Sequence, residues 1–135
     1  ALCLRNPETI SLALSASHVR ELIASGRKAA VIKLEGGHCI QDDLAVLRQY
    51  FDLGVRAMTL AWDNSNNLVD GIMDDPINGG LTLFGKNVIQ EMNSMGMLVN
   101  VSHLSEEAFW DVMDINNNPG NPIGNRLSAG NLNNP

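Results

Sequence analysis

The sequence predicts an α/β chain in which short parallel strands alternate with helices. Three apolar runs, "KAAVIKLEGG", "VRAMTLAW" and "MLVNVSH", each follow a stretch with apolar residues at helical spacing. Continuous rather than alternating apolar runs are those of strands covered on both faces. The segments between the runs are long enough for crossover helices, which parallel strands need and antiparallel pairs do not.

Residues 8–25 place Ile10, Leu14, Val19, Leu22 and Ile23 at helical spacing, and Gly26 supplies a stop. The first strand follows in 28–37. Residues 42–54 are expected to form a helix, with Asp42 and Asp43 favouring its N-terminus and Gly54 ending it. Residues 55–62 form the second strand. "DNSNNLVDGIMDDPINGG" (63–80) is crowded with Asn, Asp, Gly and Pro and is expected to be loop. A third helix spans 81–96, with Thr82 as N-cap and Gly96 beyond its end. The third strand is 97–103, and Ser105 starts a fourth helix with Glu106 and Glu107 in its first turn. Three strands leave two open sheet edges, so either another chain completes the sheet or this is a piece of a larger fold. Residues 1–115 thus read as one α/β segment. The Asn-, Gly- and Pro-rich residues 116–135 read as a loop or frayed tail.

Composition narrows the function classes. A chain of 135 residues with 44% apolar residues has a one-domain length and a globular composition. Its net charge of −6, with no basic patch, argues against non-specific nucleic-acid binding. No run approaches the ~18–20 apolar residues of a membrane helix. The start "ALCLRNPETI" has neither a basic n-region nor a long apolar stretch, and no initiator Met, so it is read as mature or truncated. Cys3 and Cys39 are too few for a disulfide framework and are read as free thiols.

In parallel α/β sheets, ligands bind beyond the carboxyl ends of the strands. Those ends carry Glu35, then Trp62 and Asp63, then His103. Gly36 and Gly37 clear side chains away beside Glu35 and allow a sharp turn. Glutamate and histidine are oxygen and nitrogen ligands suited to zinc or a similar divalent ion. The ordinary alternatives are a hydrogen-bonded core or surface histidine and a glutamate paired with Lys or Arg. His38 is read as a loop residue, His18 as part of a solvated helix face, Cys39 as a packed thiol and Trp110 as core.

The stretches "KLEGGHCIQDDLAVLRQYFDLGVRAMTL" and "GGLTLFGKNVIQEMNSMGMLVNVSHLSEEAFWDV" resemble the membrane (renal) dipeptidase family of zinc peptidases, peptidase family M19, over about residues 9–115. The resemblance implies part of an (α/β)8 TIM barrel of the metallo-dependent hydrolase type. It implies two zinc ions at the strand ends and hydrolysis of dipeptides, including some with a C-terminal D-residue. Glu35 stands where the family glutamate bridges both metals, and His103 where a histidine binds one. Trp62 stands where some relatives carry a substrate-contacting histidine, which makes it a weak candidate for substrate binding. The family's His-x-Asp pair has no counterpart here. The expected histidine after "PI" is absent from "PIGNRLSAGNLNNP", and so is the late aspartate that handles protons. No catalytic acid or base is therefore assigned, and Arg126 aligns too loosely to carry a role. A dizinc site takes about five or six protein ligands, so two residues hold it weakly. The expected partners are a dipeptide and a second copy or other chain completing the barrel. The rival readings are a degenerate, non-catalytic relative acting through association and an unrelated small α/β binding module.

Overall fold

The computed structural model describes residues 2–117. In chain order these form α1 (Leu2–Arg5), β1 (Ile10–Leu12), α2 (Ala16–Ala24), β2 (Lys28–Ala30) and β3 (Ile32–Glu35). A 3-10 turn (Gly37–Ile40), α3 (Leu44–Asp52), β4 (Val55–Thr59), α4 (Leu83–Met95), β5 (Leu98–Asn100) and α5 (Glu106–Asn117) follow. Most of the tail, with Arg126 and the segment after "PI", lies outside the described residues.

The helix boundaries follow from local chemistry. Helix α2 begins where the Ser15 hydroxyl accepts from the His18 N–H at 3.1 Å. Asp43 caps α3 through the Ala45 N–H at 2.7 Å, and Thr82 caps α4 through the Gly85 N–H at 2.9 Å. Ser105 accepts from the Ala108 N–H at the head of α5. Each cap satisfies an N–H that the first helical turn leaves without a partner, a contribution of about 1 kcal/mol. Gly96 closes α4 in the left-handed region.

Every strand pairing among the described residues is parallel. Ile10 lies opposite Lys28, Glu35 opposite Thr59, and Thr59 opposite Asn100. Only Val31 separates β2 from β3, so the stretch 28–35 pairs first with β1 and then with β4. The result is four parallel rows in chain order rather than the three expected. The fourth is β1, which lies within the segment whose periodicity predicts helix over 8–25. Ser15 starts the helix late, and Ile10–Leu12 find strand partners almost twenty residues on, so tertiary pairing overrides local periodicity.

The two faces of β3–β4–β5 differ. Met58 lies in the buried core, with Leu34 and Val99 packed against it. Leu47, Val88, Ile89, Met92 and Val112 fill the same layer from the helices and are fully buried. Each such side chain contributes roughly 1.5–3 kcal/mol by leaving water. The opposite face carries the rows Lys33–Ala57–Leu98 and Glu35–Thr59–Asn100. This face is partly open: Val31 and Leu98 are 47% and 56% exposed, unlike strands covered on both sides. Trp110 is exposed as well, because Ala108 and Val112 turn the other side of α5 to the core.

Candidate metal centre

The site stands at the carboxyl ends of β3, β4 and β5. Glu35 ends β3, and the next two residues continue the ladder, Gly36 donating to the Thr59 carbonyl at 3.1 Å and Gly37 to that of Leu60 at 2.8 Å. Gly36 has φ +94°, and a Cβ there would sit 2.6 Å from the His38 ring. A Cβ on Gly37 would lie 2.8 Å from the Leu60 carbonyl oxygen and 2.7 Å from Leu68. The glycine pair lets the chain turn beneath Glu35 while pressed against β4. His38 itself is exposed on the following turn.

His103 follows β5 with φ 67°, a left-handed conformation that costs a non-glycine residue roughly 1–2 kcal/mol. The loop 63–82 holds it there: the Ile72 N–H donates to the His103 carbonyl at 2.9 Å. That loop is organised around Asp70, which is fully buried. Its carboxylate accepts from the backbone N–H groups of Ile77, Asn78 and Gly80 and from the Asn78 side chain. Burial by itself would raise the Asp70 pKa, but these donors together outweigh it and hold the carboxyl below its usual range. Asp74 is held low by the Asn64 side chain and the Ser65 N–H, which fastens the chain just after Asp63.

These elements bring three polar side chains together. His103 Nδ1 lies 2.9 Å from Asp63 Oδ1, and His103 Nε2 lies 3.7 Å from Glu35 Oε1. In the neutral tautomer that donates its Nδ1 proton to Asp63, the Nε2 lone pair faces Glu35. Trp62 stacks on His103, with ring centroids 5.4 Å apart and planes at 9°. The other oxygen of Glu35, Oε2, is ion-paired with Lys33 Nζ. Thr59, next to Glu35 in register, is fully buried and its hydroxyl has no hydrogen-bond partner.

The sequence candidates Glu35, His103 and Trp62 thus stand together at one end of the sheet. Asp63, Asp70 and Lys33 were given no site role from sequence. Asp63 was signalled by its place directly after a strand, and Lys33 by its two-residue spacing from Glu35, which puts both on one face. Cys39 is half-buried, and burial pushes its thiol up, away from the reactive thiolate.

The donor set fits a divalent ion. A carboxylate oxygen and a neutral imidazole nitrogen, each about 2.0–2.2 Å from one zinc ion, stand roughly 3–4 Å from each other. The 3.7 Å separation of Glu35 Oε1 and His103 Nε2 falls in that range. Among the described residues no group of three or more His, Cys, Asp or Glu gathers to hold an ion, so this part of the fold offers two donors.

A family model described as "Membrane dipeptidase (Peptidase family M19)" matches residues 1–120. The chain belongs to this family. Dipeptidase tcpJ of Claviceps purpurea is 37% identical over 109 residues, covering 80% of this chain and 26% of that protein. The crystal structure of the probable dipeptidase PvdM of Pseudomonas aeruginosa matches with a TM-score of 0.75 at 25% identity, over 83% of this chain and 30% of that one. A metallo peptidase of Rhodobacter sphaeroides, solved with a phosphinate mimic of the dipeptide L-Ala-D-Ala, matches with a TM-score of 0.69 at 27% identity, over 77% of this chain and 31% of that one. The four parallel rows and their helices are therefore an arc of this M19 barrel fold, and the chain spans less than a third of the length of each of these relatives. Membership in M19 implies a metal cofactor.

Proposed function

We propose that this chain supplies part of a zinc-dependent dipeptidase centre, with Glu35 and His103 as metal ligands. One observation carries the reading: Glu35 Oε1 and His103 Nε2 converge to 3.7 Å at the strand carboxyl ends, with Asp63 behind the ring. The likeness to M19 relatives, dipeptidases among them, supports a dipeptide as substrate. Glu35 is the bridging ligand, and His103 serves one ion. Zinc in such a site polarises the peptide carbonyl and activates water.

The chain's own residues have separable parts. Asp63 fixes the imidazole so that Nε2 is the coordinating nitrogen. Trp62 covers one face of that ring and presents an apolar wall, 52% exposed, to a substrate side chain.

The test is hydrolysis of a panel of dipeptides, with metal content measured in parallel. The 135-residue chain alone should show little turnover, because two ligands hold zinc weakly. A longer chain carrying the neighbouring barrel segments should hydrolyse dipeptides and lose activity on chelation. Full activity of Glu35→Gln in that longer protein would refute the assignment.

A second reading, association without catalysis, is favoured by the open sheet face at Val31 and Leu98. Chelation separates the two, since association by an apolar face needs no metal.

A further inference from the structure

We propose that Lys33 is a counter-cation built against Glu35 and that it governs how readily the centre takes up a second metal ion. The inference rests on Glu35 being a bridging ligand. A carboxylate that bridges two cations offers one oxygen to each. Here Oε1 faces His103, and Oε2 is held by the Lys33 ammonium. Lys33 therefore occupies the direction from which a second ion would approach.

The surroundings leave Lys33 no better partner in its part of the sheet. Its row continues through Ala57 and Leu98, and the next row consists of Glu35, Thr59 and Asn100. Glu35 is the only charged acceptor in these two rows. The other cation contacts of the sheet lie elsewhere: Arg56 donates to the carbonyls of Leu14 and Phe51. A second divalent ion at Oε2 has to displace the ammonium and then remain beside it, so like charge opposes occupancy. The lysine side chain is 36% exposed and flexible, and it can withdraw toward water. Lys33 therefore competes with the second ion rather than excluding it outright.

The experiment is calorimetric titration of zinc into the longer protein that carries the neighbouring barrel segments and into its Lys33→Met, Lys33→Gln, Lys33→Arg and Glu35→Gln variants, with thermal unfolding recorded for each. Removing the charge is expected to add a second bound ion per chain or to tighten zinc binding at least about tenfold. Lys33→Arg, which keeps the charge, is expected to stay at the wild-type level. Met and Gln variants that both match the wild type in stoichiometry, and in affinity within about twofold, would overturn the proposal. If Glu35→Gln weakens zinc binding while both neutral variants match the wild type, Lys33 loses its role and the ligand reading stands. If Glu35→Gln binds zinc as the wild type does, the ligand reading falls and takes the Lys33 proposal with it.

Discussion

His103 presents its two ring nitrogens to two different carboxylates, and this division makes it suited to coordination. Asp63, 46% exposed, contributes little to the core, so its removal isolates the orienting effect. Asp63→Ala is expected to lower zinc affinity about 10–100-fold, with the thermal midpoint little changed. An affinity equal to wild type would mean that the 2.9 Å contact is incidental. Glu35→Gln should be more damaging to turnover in the longer protein than His103→Ala, because a bridging carboxylate serves two ions and an imidazole one. The reverse order would place the bridge elsewhere. Glu35 and His103 were legible because the ends of parallel strands are where α/β folds bind ligands. Asp63 was harder to single out: it opens a stretch with Asp70, Asp74 and Asp75, and nothing in one dimension tells which carboxylate turns inward.

Among the elements, the loop 63–82 matters most, since it delivers both Asp63 and the backbone support of His103. Asp70 is its anchor. Asp70→Asn replaces an acceptor-only carboxylate with an amide whose NH2, in place of either oxygen, faces two backbone N–H donors. It is expected to cost about 1–3 kcal/mol of stability at neutral pH. Because the folded pKa of Asp70 lies below its ordinary 3.8, its contribution is complete above that value and is lost as pH falls through the folded pKa. The stability gap between wild type and Asp70→Asn should therefore narrow below about pH 3.8. A gap that stays constant in that range would show that the buried carboxylate is not charged in the folded protein. Gly37→Ala would force a Cβ to 2.8 Å from the Leu60 carbonyl oxygen, an overpacking expected to cost roughly 1–3 kcal/mol. Helices α3, α4 and α5 were legible from caps and glycine stops, which are local. Strand β1 was not, because three residues with a distant partner leave no periodic signal of their own.

Across the whole molecule, the parallel rows leave β1 and β5 each with one strand neighbour among the described residues. Leu14, Val31 and Leu98 line an apolar hollow between the end of β1 and the starts of β3 and β5. An open face of this kind and two unpaired edges favour self-association. Light scattering of the isolated chain is expected to show a mass that rises with concentration. A compact monomer that unfolds cooperatively at all concentrations would contradict this. The alternation of strands and helices made the α/β class legible. The count of strands and the exposure of the inner face were not, since both depend on which partners cover the sheet.

The shared coordination of a metal by Glu35 and His103 is tested most directly at the His103 ring. Long-range proton–nitrogen NMR correlation spectra of the full chain would be recorded with and without zinc. Zinc should shift the Nε2 resonance of His103 and leave Nδ1 protonated against Asp63, and Glu35→Gln should weaken that response. A shift at Nδ1 instead, or spectra in which the His103 nitrogens ignore zinc, would contradict the assignment of this centre.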